Sequence, residues 1–154
     1  MARCLAWFWA GMAFGVSFIA TPVKFRASTL DIPTALEVGH VTFHALNRIE
    51  WLLVAVLAFA MARAHRFSGV ATGGWIFFAA VATIVVSEAV LLLPALDRRT
   101  VEIMAGQHLP PSSLHGLFIG AEFAKMLILL LLGTRLGAPS PATRPSSETL
   151  GLGA

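Results

Sequence analysis

Four apolar segments run along the chain, separated by polar or proline-containing stretches. Residues 4–23 contain no charged side chain, and Trp7 and Trp9 stand near one end, where amphipathic rings favour the membrane interface. A transmembrane helix needs about 20 mostly apolar residues, so this segment predicts a first membrane span. Pro22 and Pro33 then interrupt the pattern and predict a connecting loop.

The second and third segments also predict helices. Only residues 51–62 of the second segment are uninterrupted apolar, and a stretch this short cannot cross a bilayer. We therefore expect this helix to start near Val41 or earlier, which draws polar side chains to membrane depth. The third helix is predicted over residues 69–96, where Pro94 and the charged run DRRTVE end it.

The fourth segment, residues 112–132, is apolar enough to span a membrane, yet it carries Glu122 and Lys125 near its middle. Together the four segments predict an all-α fold, an integral membrane bundle of four transmembrane helices that occupies residues 1–134. Residues 135–154 are small, polar and proline-rich, and we expect a disordered tail there.

The composition is that of a membrane protein rather than a soluble domain. Hydrophobic residues make up 57% of the chain and charged residues 12%, with a mean hydropathy of +0.80, so we expect a lipid bilayer around it. The basic residues form no patch, and nucleic acid is not an expected partner. No nucleophile motif, phosphate-binding glycine loop or zinc-protease spacing is present, so no enzymatic activity is expected.

The orientation in the membrane rests on the distribution of basic residues. With the N-terminus inside, five arginines fall on the side of the termini and four basic residues on the opposite side, and excess positive charge favours the cytoplasm. We predict a multi-pass protein of the cell membrane with both termini cytoplasmic.

Three carboxylates are predicted to lie at membrane depth. We count from the face that carries the first and third loops, here called the loop-one face. At 1.5 Å per residue, Glu50 and Glu122 lie about 14 and 15 Å below this face and Glu88 about 10 Å. Lys125 follows slightly deeper, on the same helix face as Glu122. These groups are therefore expected to meet near the middle of a hydrocarbon core about 30 Å thick.

The charges of this predicted cluster do not balance. Arg48 and Lys125 can offset two of the three carboxylates, and Asn47 can serve as a hydrogen-bond partner. One negative charge remains, and a bound proton, a metal cation or a histidinium would compensate it. The pattern is typical both of a structural ion-pair network and of an exchange site.

Histidines near the loop-one face are the residues that a metal ion or haem would use. His40 and His44 share a helix face because they are four residues apart, and His115 lies on the same side of the membrane. No cofactor is assigned from this pattern, because interfacial histidines are more often solvated or hydrogen-bonded. Gly116 and Gly120 form a small-residue stripe, which predicts close packing of another helix.

Four short motifs give the chain a resemblance to a known family. They are ATPVKF, LNRIEW, LLLPALDRRTVEIM and SSLHGLFIGAEFAKM, within residues 5–133. The chain resembles the family of transmembrane protein 205, small four-helix membrane proteins without a settled activity. The resemblance implies a four-span fold and a membrane location but no active site. It also implies metal handling or export as a hypothesis, since members are linked to tolerance of metal-containing compounds.

The sequence leaves three functions open. The first is binding or movement of a proton or small metal cation at the carboxylate cluster, with Lys125, Arg48 and Asn47 as neighbours. The alternative is a non-catalytic accessory or assembly subunit, as a homo-oligomer or in a larger membrane complex. Haem-based electron transfer through His44 and His115 is the third, and a visible absorption spectrum would distinguish it.

Overall fold

A computed structural model describes residues 1–68, 70, 72–107, 109–110 and 112–136, and the regular structure in these ranges is entirely helical. Four long helices follow one another: α1 (Ala2–Lys24), α2 (Ile32–Ser68), α3 (Thr72–Met104) and α4 (Leu114–Arg135). Each is long and apolar enough to cross a bilayer. The chain is therefore an all-α, multi-pass membrane protein, as predicted. Beyond Leu136, the predicted tail lies outside the described residues.

The four helices form an antiparallel bundle in which α1 packs against α2 and α4, and α3 packs against the same two helices. Helices α2 and α4 consequently lie at diagonally opposite corners of the bundle. The fully buried apolar side chains lie mainly in the half of the bundle that contains the start of α1 and the end of α4. We call the membrane face at this end the terminal face. These buried side chains include Trp9, Leu57, Met61, Leu129 and Leu132.

The distribution of polarity is reversed relative to a soluble protein. Large apolar side chains cover the outside, including Phe8, Leu52, Phe59, Ile76 and Leu91, each more than 60% exposed. Among the described residues, four charged side chains are instead buried in the interior: Glu50, Glu88, Glu122 and Lys125. An apolar exterior around an ionisable interior is the arrangement expected in a bilayer.

Two prolines lie within helices rather than ending them. A π-helical stretch, Phe14–Ala20, stands two residues before Pro22 in α1, and a second, Glu88–Leu92, stands two residues before Pro94 in α3. The predictions that Pro22 begins a loop and that Pro94 ends the third helix are therefore wrong. Because the hydrocarbon core offers no water to unpaired backbone groups, local π-helical adjustment is preferred to a break.

The backbone hydrogen bonds show how each helix continues past its proline. Thr21, just before the first proline, donates its backbone N–H to the carbonyl of Val16. Leu93, just before the second, donates to the carbonyl of Glu88. Each bond reaches back five residues, and this widening accommodates a proline ring that would clash in a regular helix.

Helix α2 begins at Ile32, so the first loop is shorter than the sequence suggested. The Asp31 carboxylate accepts a hydrogen bond from the backbone N–H of Thr34 at 3.1 Å, and the Asp31 carbonyl accepts one from Ala35 at 2.9 Å. Pro33 lies in the first turn, where its missing N–H costs no helical bond. Its interpretation as a loop residue is therefore wrong.

Candidate functional site

Lys125 connects three carboxylates in the interior of the bundle. Its Nζ lies 2.6 Å from Glu88 Oε2 and 2.7 Å from Glu122 Oε1. The two carboxylate oxygens of Glu50 lie 2.7 and 2.8 Å from the same nitrogen. All four side chains are at most 1% exposed. We call Glu50, Glu88, Glu122 and Lys125 the Glu–Lys cluster, and it confirms the predicted convergence of the carboxylates.

The cluster lies at the middle of the helices that form it. Glu50 stands 18 residues from both ends of α2, and Glu88 stands 16 residues from both ends of α3. Lys125 stands 11 residues after the start of α4 and ten before its end. An unpaired charge near the middle of a membrane-spanning helix is costly, so these four side chains need one another as partners.

Helix α1 supplies the remaining hydrogen bonds of the cluster. Trp9 donates its Nε1–H to Glu50 Oε1 at 3.0 Å, and Ser17 donates its hydroxyl to Glu122 Oε2 at 3.1 Å. Sequence reasoning missed Ser17, and its interpretation of Trp9 as an interfacial residue is wrong, because Trp9 is fully buried. Ser17 carried a signal, because its hydroxyl is the only one between residues 5 and 20.

Arg48 does not join the cluster, and its predicted ion pair is wrong. Its side chain is exposed, and the ion pairs of the three carboxylates among the described residues all involve Lys125. The reason is helical geometry: residues two apart do not face the same side. Asn47 lies one turn before Glu50 and is half-buried, but its Nδ2 has no hydrogen-bond partner among the described residues.

The charge imbalance is larger than the sequence suggested. Three ionised carboxylates against one ammonium leave two negative charges, because Arg48 contributes nothing. Glu88 Oε1 is also buried without a hydrogen-bond partner in the described part of the chain. Buried charges are tolerated only when they are compensated and hydrogen-bonded. The cluster therefore has acceptor capacity for protons or for a cation.

A cavity of about 240 Å³ leads from the cluster towards the loop-one face, between α1 and α4. Glu122 and Ser17 line its inner end, and His115 and Phe25 line its outer end. On α4 it spans seven residues, or about 10 Å along the helix. On the terminal side, the buried apolar core adjoins the cluster. The Glu–Lys cluster is thus approached from one face of the membrane.

A second group of ligating side chains lies nearer the loop-one face. His40 Nδ1 lies 2.8 Å from Asp97 Oδ1, and His44 Nε2 lies 2.8 Å from Asp97 Oδ2. The two imidazole rings are 4.6 Å apart. His115, predicted to complete this set, instead lines the neighbouring cavities.

Comparison with known proteins identifies the family of the chain. Residues 4–108, more than half of the sequence, match a family described as a domain of unknown function, DUF4149. The chain belongs to the DUF4149 family. No curated protein and no solved structure matches it. Nothing in these comparisons bears on the transmembrane protein 205 family specifically.

The DUF4149 match covers only part of the site. It includes nearly all of α1 and the whole of α2 and α3, with Glu50, Glu88 and Asp97. It ends before α4, which supplies Glu122 and Lys125. Asp97 was missed by sequence reasoning, although a signal existed. It opens the charged run after the third apolar segment, at the membrane face where the two histidines of α2 were expected.

Proposed function

We propose that this DUF4149 protein binds and exchanges protons at the Glu–Lys cluster. The observation that carries the proposal is the sharing of one ammonium by three buried carboxylates. Two bound protons would neutralise the excess charge without any additional ligand. An intramembrane ionisable group is a functional candidate by default, and here four of them are in direct contact.

A proton suits the geometry better than a metal ion does. The Lys125 ammonium occupies the position between the three carboxylates that a metal ion would need, within 2.6–2.8 Å of an oxygen of each. A metal ion would therefore have to displace Lys125. A proton needs only a carboxylate oxygen, and Glu88 Oε1 has no other partner among the described residues.

The cavity between α1 and α4 supplies the route in this proposal. Protons from the loop-one face would pass His115, at its outer end, and reach Glu122 beside the Ser17 hydroxyl. The apolar packing on the terminal side separates the cluster from the other face. Movement of a proton across the whole membrane would require this packing to open.

Location, orientation and relatives also belong to the proposal. We place the protein in the cell membrane with both termini cytoplasmic, on the basic-residue distribution given above. The cavity would then extend towards the non-cytoplasmic face. We also propose that the chain is related to the transmembrane protein 205 family, on the four motifs given above.

A second candidate function is that of an accessory or assembly subunit, and one observation favours it. Gly116 and Gly120 are exposed, and a Cβ at either position would meet nothing within 4 Å. The predicted helix packing on this stripe is not found among the described residues. A second copy or another membrane protein could pack there, since small residues allow close helix approach.

Proton flux into liposomes tests the main proposal. Purified protein reconstituted with a trapped pH-sensitive dye should acidify the lumen under an imposed gradient, and Glu122→Gln should abolish this flux. Glu37→Gln is the matched control, because Glu37 is an exposed carboxylate on α2, and it should leave the flux unchanged. A folded protein without flux above empty liposomes would contradict proton movement and favour the subunit function.

A further inference from the structure

His40, His44 and Asp97 combine two imidazoles and one carboxylate at the loop-one end of α2 and α3. One ligand atom from each lies within 4.8 Å of the others. The histidines are one helical turn apart on α2, and Asp97 reaches them from α3. We infer that these three residues bind a divalent metal ion of the Zn²⁺ and Co²⁺ class. This site is separate from the Glu–Lys cluster and does not depend on the proposed proton exchange.

The donor set fits this class of ion. Two imidazole nitrogens and one carboxylate oxygen are characteristic ligands of Zn²⁺ and its first-row neighbours, whereas Mg²⁺ and Ca²⁺ prefer oxygen alone. A tetrahedral site with bonds of about 2.0–2.1 Å places its ligand atoms about 3.3 Å apart. The His–Asp separations are 2.8 Å. Binding therefore requires each ring to move back from Asp97 by about half an ångström.

The position of the group allows an ion to enter. His44 lies six residues from Glu50, or about 9 Å nearer the loop-one face, and Asp97 lies nine residues from Glu88, or about 13 Å nearer. The site is thus close to the edge of the hydrocarbon core. The side chains of His40, His44 and Asp97 are 38%, 36% and 27% exposed. These groups are therefore partly exposed at the surface, whereas the Glu–Lys cluster is buried.

A cavity of about 80 Å³ beside the ligands supplies room for a further ligand. His40, Asp97, Thr100 and His115 line it, so a water molecule or the His115 imidazole can complete the coordination. Lys24 also lines this cavity, and its ammonium opposes a bound cation. The arrangement therefore makes a distinctive prediction: removing the positive charge of Lys24 should strengthen metal binding.

Titration of the purified full chain with Co²⁺ tests the site, with Zn²⁺ as the competitor. The protein should be purified without a polyhistidine tag and with Cys4→Ser, because the exposed thiol of Cys4 is itself a metal ligand. We expect a visible Co²⁺ absorption band that saturates at one ion per chain and that Zn²⁺ abolishes. Absence of such a band in the folded protein would overturn the inference, and no variant is needed for this conclusion.

Variants then identify the ligands. His44→Gln and Asp97→Asn should each weaken binding at least tenfold, and Lys24→Met should strengthen it severalfold. His65→Gln is the matched control, because His65 is exposed near the terminal end of α2, and it should leave affinity unchanged. Unchanged affinity in Asp97→Asn, together with loss in His115→Gln, would overturn the proposed ligand set.

Discussion

Lys125 determines the electrostatic balance of the interior. It is the one cation in contact with three carboxylates among the described residues, and it is completely buried. An ammonium carries three N–H donors, and here each of the three glutamates accepts at least one. The contribution of each glutamate to stability therefore depends on Lys125 and on the proton occupancy of the other two.

We expect Lys125→Met to destabilise the protein by about 3–5 kcal/mol, because it leaves buried carboxylates without their cation. Adding Glu88→Gln should recover part of this loss, since two bound protons are then enough to neutralise the two remaining carboxylates. Unfolding in mixed detergent micelles measures both effects. Lys24→Met is the control, because Lys24 contacts the rings of Phe25 and Phe43, and it should cost about 1 kcal/mol or less. Additive losses in the double variant would contradict direct coupling.

At the scale of the helix, the two π-helical segments coincide with polar groups of the site. Ser17 lies within Phe14–Ala20, and Glu88 is the first residue of Glu88–Leu92. Insertions of this kind are frequent at functional sites because they change the direction of side chains. In each helix, the proline thus follows a π-helical segment that places Ser17 or Glu88 towards the interior.

The contact between α1 and α4 depends on Gly133. A Cβ at this position would overlap the indole of Trp7, whose Nε1–H donates to the carbonyl of Leu130 at 3.4 Å. Gly133→Ala should therefore destabilise the bundle by about 1–3 kcal/mol, the usual cost of overpacking. Gly120→Ala is the matched control on the same helix, because its Cβ meets open space. Equal stability of the two variants, measured by thermal unfolding in detergent, would argue against this contact.

The start of α2 should depend on pH through Asp31. Hydrogen bonds from Thr34 hold the pKa of the Asp31 carboxyl below its ordinary value. Because the pKa is lowered in the folded state, the ionised Asp31 stabilises α2 fully at pH values above its unfolded pKa of about 3.9. This stabilisation is lost as the pH falls through the pKa of the folded state.

Hydrogen exchange in the first turns of α2 can detect this cap. Asp31→Ala should reduce protection relative to the wild type at about pH 6, and the difference should shrink as pH falls below the unfolded pKa of about 3.9 and the carboxylate becomes protonated. A difference that persists unchanged at the low pH would show that the Asp31 charge does not stabilise the helix start.

For the whole molecule, the sequence predicted the features that depend on length and apolarity. Four spans and the meeting of Glu50, Glu88 and Glu122 followed from counting residues along helices. Counting residues along helices does not identify the partners of these carboxylates. Arg48 is close to Glu50 in sequence but faces away from it, whereas Lys125 reaches Glu50 across the diagonal of the bundle.

Other features required packing information that the sequence does not carry. The apolar pattern around Gly116, Gly120 and Gly133 is similar, yet only Gly133 is in close contact with another helix among these three. The sequence places Asp97 in a loop because Pro94 predicts the end of the third helix. Once α3 continues to Met104, Asp97 faces the histidines of α2.

The most direct test of the account is the number of protons held by the Glu–Lys cluster. Infrared spectroscopy of the folded protein at neutral pH resolves the C=O stretch of protonated carboxyl groups from ionised ones. We predict a protonated carboxyl band equivalent to two groups, which weakens when Glu50, Glu88 or Glu122 is replaced by Gln and persists in Glu37→Gln. A spectrum without such a band, or with a band that none of the three cluster variants changes, would contradict proton binding at this site.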